Sequence, residues 1–330
     1  MAPADGINPG QDANMIEIGD DVIFILGNGP SLAGVDLKAL SSKAATLGMN
    51  AAYRYWREIN WRPRYYACLD LVVGLSHKDE IAAMIRDDAG IEAFLLRSNL
   101  IDALGDAALD PRVVNFDALR LHQPMLADEP VTTGSHAALW AANLGFKTMV
   151  IAGVDGNYRE IVDGARPAGG IELEIVDHRE NPNYFFDGYQ RPGDRYNVPN
   201  PRPGLHTGAW KMAASHLAAA GVRIANANAD SAVRDFAFVD LDQLLAAGRA
   251  TIAGEGRPTS AIAPVAPKSE RVDAGAKLRE FVTASRKPLA AGIVLGAVLS
   301  LAAVMAGTPL AFGAAMLAQF LILMTALAYV

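Results

Sequence analysis

"DDVIFILGNGPSLAG" (residues 20–34) is the stretch whose reading decides the fold. The apolar run over 21–27 predicts a buried strand, and Gly27-Asn28-Gly29-Pro30-Ser31 ends it abruptly. The spacing is not that of a P-loop, because no Gly-Lys-Ser/Thr follows. It is not a dinucleotide fingerprint either, since Gly27 and Gly29 supply G-x-G without the third glycine. What remains is a turn of small residues at the carboxyl end of a strand. Glycine has no side chain to obstruct a ligand there, so the turn predicts close approach to backbone N–H groups.

Working outward, short apolar runs at 44–50, 65–70, 92–97, 112–116, 148–155 and 222–228 predict further strands. Helical patterns lie between them. The clearest are 134–146, where Ala137, Trp140, Ala141 and Leu144 share a face, and 207–221, each closed by a glycine. Strand–helix alternation over 19–250 predicts an α/β domain: a mainly parallel, Rossmann-like sheet with helices on both faces. Ligands in such sheets sit at the carboxyl ends of the strands. Residues 156–205 break the rhythm. They are rich in Pro, Gly and Asn, yet Tyr184, Phe185, Phe186, Tyr189 and Tyr196 crowd together, which predicts an ordered lid over a site rather than a disordered loop.

The chain has 330 residues, 51% of them hydrophobic, and a formal net charge of −7. That composition supports a sizeable core and argues against nucleic acid as a partner, since no basic block appears. Cys68 is the single cysteine, so neither an internal disulfide nor a cysteine zinc site is expected. Residues 1–18 read as a disordered tail without a signal peptide. Residues 288–307 and 309–330 contain no Asp, Glu, Lys or Arg, and each is long enough to cross a bilayer. They predict a transmembrane helical hairpin; a buried hairpin is the alternative. Lys277, Arg279, Arg286 and Lys287 precede it in a linker over 251–287, whose part 272–287 suits a membrane-surface helix. The positive-inside rule then places the large domain on the cytoplasmic side of the inner membrane.

The polar residues converge. Asn28, Asn50 and Asp70 end the first three strands and Asp155 a later one, and Thr132, Thr133, Gly134 and Ser135 open a helix whose unpaired N–H groups favour an anion. Ser and Thr at that place are also ordinary caps. The combination with the Gly-Asn-Gly turn favours an anionic nucleotide. Arg191, Arg195 and Arg202 flank the lid aromatics and suit either an anionic substrate or pairing with Asp187 and Asp194.

Gly27–Leu32, Asn50, Thr132–Ser135 and "LGFKTMVIAGVD" (144–155) resemble the bacterial sialyltransferases, within a wider set that includes pterin-pyrophosphokinase-like proteins. The resemblance covers about residues 20–245 and continues through "GLHTGAWKMA" (204–213) and "NADSAVRDF" (228–236). It implies an α/β enzyme that uses a CMP-activated sugar, inverts the anomeric carbon and needs no metal. It places Gly27, Asn28, Gly29, Pro30, Ser31, Asn50, Asp70, Thr132, Thr133, Gly134, Ser135, Asp155 and Ser231 at the nucleotide. His206 matches the general base, and Tyr158 with Tyr184 or Tyr189 match tyrosines on the leaving phosphate. The acceptor would be a glycan or glycolipid. Asp70 stands where the sialyltransferases carry asparagine, and this favours a rival, an ATP-dependent diphosphokinase with Mg²⁺ on Asp70 and Asp155. A second rival is a nucleotide-binding membrane protein without catalysis.

Overall fold

The computed structural model describes residues 14–87, 89–159, 163–198 and 201–253. The expected linker beyond 253 and the hairpin at 288–330 lie outside the described residues. Among the described residues no helix is long and apolar enough to cross a membrane.

The strands are β1 (Met15–Glu17), β2 (Val22–Leu26), β3 (Ala45–Met49), β4 (Tyr65–Cys68), β5 (Ala93–Leu96), β6 (Val113–Asn115), β7 (Thr148–Ala152), β8 (Ala165–Gly169), β9 (Glu172–Ile175), β10 (Arg195–Asn197), β11 (Arg223–Asn226), β12 (Ala237–Val239) and β13 (Arg249–Ala253). The helices are α1 (Leu37–Ser41), α2 (Tyr53–Glu58), α3 (Leu71–Ser76), α4 (Lys78–Asp87), α5 (Ser98–Ala103), α6 (Phe116–Leu119), α7 (Pro124–Ala127), α8 (Thr133–Asn143), α9 (Leu205–Ala219) and α10 (Leu241–Ala247). All seven expected strands and both expected helices form, with shifted ends.

One sheet runs β1-β13-β12-β11-β7-β2-β3-β4-β5-β6. From β12 to β6 every pair is parallel, and β13 and β1 close the edge antiparallel. After the edge strand β1, the chain enters the middle of the sheet at β2, walks outward to β6, then returns to the other side of β2 for β7. The strand order therefore reverses between β2 and β7, which is where open α/β sheets form their binding crevice.

β2 shows why the sheet is central. All five residues of VIFIL are buried. Ile23 and Ile25 face the layer of α8 and α9, whereas Phe24 and Leu26 face the layer of α1, α2 and α4. A parallel strand covered on both faces needs such a continuous apolar run, and each large side chain so buried contributes about 1.5–3 kcal/mol. A single charge at Ile25 would break both the strand and its pairing with Leu47 and Ile151.

Two expectations are corrected. The tail at 1–18 is not wholly irregular: Met15–Glu17 pair with Arg249–Thr251, and Ile16 is fully buried. The same pairing carries the domain past 250 to Ala253. The lid at 156–205 is not without regular structure either. β10, β9 and β8 form a separate antiparallel sheet in that order; its strands of three to five residues are too short for a period to stand out, although Glu172–Ile175 alternates polar and apolar residues.

Candidate functional site

The strand stops at Gly-Asn-Gly-Pro-Ser because of what the chain itself brings against the turn. The β2 turn lies against the residues that follow β7. Gly27 N–H donates to the Ala152 carbonyl and Gly29 N–H to the Gly153 carbonyl, both at 2.8 Å. A Cβ on Gly27 would run into the Gly153 backbone, and one on Gly29 into the Asp155 carboxylate. The glycines thus permit one strand end to touch the next. Pro30 then opens a 3-10 turn, Pro30–Leu32, whose Ser31 donates to Asp155 through its N–H (2.9 Å) and its hydroxyl. Asn228 Nδ2 donates to Asp155 Oδ1 at 2.7 Å. The expectation that these N–H groups await a ligand is corrected: those of Gly27, Gly29 and Ser31 are taken by protein acceptors.

The anion-favouring end lies at α8 instead. Thr132 caps the helix, its Oγ1 accepting from Ser135 N–H. The N–H groups of Thr133 and Gly134 fall in the first turn, where an α-helix offers them no partner, and both residues line the cleft. Asn50 holds this end in place. It follows β3 in the left-handed region (φ 53°), which asparagine tolerates better than most residues. Its Oδ1 accepts from Thr133 Oγ1 at 3.3 Å, and Thr133 Oγ1 accepts from Leu69 N–H at 3.1 Å. Two sheet tips, those of β3 and β4, are thereby joined to the helix start.

Asp70 caps α3, its Oδ1 accepting from Val72 and Val73 N–H at 2.9 and 3.0 Å. Asn197 of β10 donates to both of its oxygens, at 3.2 and 3.1 Å. Asp70 and Asp155 therefore have their lone pairs directed at N–H and O–H donors, which does not fit the Mg²⁺ ligands that the diphosphokinase alternative needs. Among the described residues no three His, Cys, Asp or Glu gather as a metal site.

The lid packs over these tips. Tyr184 and Tyr189 stack at 3.8 Å between ring centroids, and Asn28 Nδ2 donates to the Tyr189 hydroxyl at 3.0 Å. Burial raises the pKa of both phenols, so each hydroxyl stays protonated and can donate. The lid is pinned by Arg54, which donates to Asp194 at 2.6 and 2.8 Å and to the Tyr189 carbonyl at 2.8 Å. His77 lies beneath, its Nδ1 2.7 Å from the Tyr53 hydroxyl and its Nε2 3.9 Å from Asp194, too far for a hydrogen bond. Burial lowers its pKa to about 4 despite the Asp194 charge.

Sheet tips, α8, α9 and lid enclose one cleft of about 1050 Å³. Gly27, Asn28, Gly29, Pro30, Asn50, Asp70, Thr132, Thr133, Gly134, Asp155, Tyr158, Tyr184, Tyr189, Arg202 and His206 all line it. His206 is the second residue of α9, and Tyr158 lies against its ring at 4.5 Å. Five expected site residues do not line it. Ser31 is spent on Asp155, as above. Ser135 is fully buried in the cap of α8. Ser231 is buried and donates to the Val154 carbonyl at 2.7 Å. Arg191 is exposed, donates to the Gly188 carbonyl and lies 3.9 Å from Glu58. Arg195 is exposed and lies 3.8 Å from Glu174. The pairing with Asp187 and Asp194 that the sequence left open does not form through these side chains: Asp187 lies against His178, and Asp194 pairs with Arg54.

Arg97 and Asn197 line the cleft without having been expected. Arg97 follows β5, so the strand-end rule that found Asn50 would have found it; its Nε pairs with Asp117 at 2.9 Å. Asn197 had no such signal, because its strand was not legible.

No family model matches the chain, and no curated protein matches it in sequence. Solved structures are similar over much of its length. The sialyltransferase CST-II with a trisaccharide acceptor and CMP is similar at TM-score 0.41 and 15% identity, over 65% of this chain and 84% of its own. The sialyltransferase CstII from Campylobacter jejuni with cytidine-5'-monophosphate is similar at TM-score 0.41 and 15% identity, over 65% and 83%. Monofunctional alpha-2,3-sialyltransferase Cst-I from Campylobacter jejuni is similar at TM-score 0.42 and 16% identity, over 66% and 80%. These belong to the family of enzymes that the sequence motifs resemble.

Proposed function

We propose that the protein is a glycosyltransferase that moves a sugar from a CMP-activated donor to a glycan or glycolipid acceptor, with inversion and without a metal. One observation carries this reading: a helix N-terminus suited to a phosphate and a histidine suited to a base face one cleft at the strand-order reversal. The donor phosphate lies on Thr133 and Gly134 N–H. Asn28 and Asn50 face the nucleotide. His206 takes the acceptor hydroxyl proton as the acceptor oxygen bonds to the anomeric carbon. The bond from that carbon to the phosphate oxygen breaks, and CMP leaves with the electron pair. Tyr184 or Tyr189, protonated, donates to the departing phosphate, with Tyr158 beside His206 as a further donor. Arg202 contributes positive charge. Residues 288–330 hold the chain at the inner membrane with the domain on the cytoplasmic side.

The test is thermal stabilisation of the full chain by CMP, CDP, UDP, ATP and GTP, with and without Mg²⁺, followed by donor turnover in His206→Ala. Stabilisation by CMP without Mg²⁺, and a loss of turnover of about 10²- to 10⁴-fold, are expected. A response only to ATP with Mg²⁺ overturns the reading. CMP binding with unchanged turnover in His206→Ala removes His206 as the base, and CMP binding with no donor turnover in the unaltered chain favours the non-catalytic rival.

A further inference from the structure

The sheet tips line the cleft with polar groups, but part of its lining is apolar, interleaved with Glu172, Asn197 and Arg202. Leu71, the first residue of α3, is 44% exposed, and Ile171, at the tip between β8 and β9, is 49% exposed; both line the cleft. Val198 and Leu205 add to this apolar lining beside His206, which directly follows Leu205 in the chain. The lining is held in place. Val198 N–H donates to the Ile171 carbonyl at 2.8 Å, and Arg195 N–H donates to Ser76 Oγ at the far end of α3 at 2.8 Å. A sugar laid along these side chains would lose water from its hydroxyls without gaining partners. The same chain carries residues 288–330 without one charged side chain, a stretch whose composition suits a bilayer.

We infer that the acceptor is an amphiphile, a sugar on an apolar aglycone such as a lipid chain, whose apolar part lies on Leu71, Ile171, Val198 and Leu205 while its hydroxyl reaches His206. This rests on the transferase reading and commits it to the glycolipid class.

The experiment uses the full chain in lipid nanodiscs with a CMP-sugar donor. Matched methyl and octyl β-glycosides of galactose, glucose and N-acetylglucosamine serve as acceptors. The octyl compound is expected to have a KM about tenfold lower, the effect of burying roughly two methylene groups, with kcat changed less than about twofold. In Leu71→Asp/Ile171→Asp the methyl-to-octyl KM ratio is expected to fall to about one. Partition of octyl chains into the nanodisc is common to both proteins and cancels in that comparison. Leu71→Ser/Ile171→Ser provides a milder pair with the same expected direction. Equal KM values for the two glycosides, or a ratio that both variants leave intact, overturn the inference while the transferase reading stands. Absence of CMP stabilisation together with absence of turnover overturns both. Sedimentation velocity identifies the rival occupant: a dimer that the variants dissolve, with the KM ratio unmoved, assigns the apolar lining to a second copy of this chain.

Discussion

The parallel sheet and the lid that covers its tips are held by different means. In the sheet, residues alternate between two apolar layers, and in the turn that follows β2 the N–H groups of Gly27, Gly29 and Ser31 are matched to acceptors. At the lid seam the matching is incomplete. Among the described residues, four buried side-chain polar atoms lack a partner, and Asn28 Oδ1, His77 Nε2 and Asn197 Oδ1 lie where lid meets tips. An unmatched buried acceptor or donor costs about 1–3 kcal/mol, a cost relieved whenever water reaches it. The sheet is therefore expected to open only with global unfolding, and the lid to open locally at lower free energy. A site that must admit a nucleotide-sugar and release its product benefits from that division.

The largest effect expected is on the lid. Asp194→Ala leaves Arg54 buried without its carboxylate, a loss of about 3–5 kcal/mol for a buried pair. Hydrogen exchange should show lost protection over 183–198 with β2 and β7 unchanged; loss across the whole sheet would abolish the distinction drawn here. Gly27→Ala tests the other region. Its added Cβ collides with the Gly153 backbone, and overpacking of this kind costs about 1–3 kcal/mol, read as a lower urea midpoint for the whole domain.

Acid should act on both regions at once. Burial holds His77 and His136 at about 4 in the fold, below the usual 6.5. Between these values the unfolded chain binds more protons, so stability is lost as pH falls through that window. At pH 5 the loss is about 2 kcal/mol per histidine. His77→Leu should flatten the lid's response and His136→Leu that of the whole domain, because His136 lies fully buried in α8. A lid response that survives His77→Leu would place the proton elsewhere. Asn228→Ala removes one donor from Asp155 and should cost about 1 kcal/mol. The smallest change is expected at Arg191→Ala and Arg195→Ala. Both side chains are exposed and point to surface carboxylates, so stability should move by less than about 0.5 kcal/mol and turnover by less than about twofold.

What the sequence revealed follows from length and periodicity. β2 and β7 were legible because a strand buried on both faces must be continuously apolar. The strand-end rule places Asn28, Asn50 and Asp70 together from the sequence alone, since parallel strands deliver their carboxyl ends to one edge. The function of the two glycines was not legible. A side-chain-free turn has the same composition whether a ligand or the Gly153 carbonyl fills the space. Nor was the partner of Asp70 legible. A carboxylate that suggested a cation is a helix cap shared with Asn197, 127 residues away, and no local pattern encodes such a meeting. The lid strands were missed for a related reason: their pairing energy is in backbone hydrogen bonds, which every sequence can make.

The place of β2 in the sheet has a consequence for how the protein is made. β2 is synthesised early, yet one of its two neighbours, β7, leaves the ribosome only after more than a hundred further residues, and the edge strand β1 waits for β13. A growing chain stalled near residue 130 would hold the sheet's middle as a bare margin, with an apolar ladder open to any passing strand. Chaperone demand during translation should peak there and end as residues 148–152 dock.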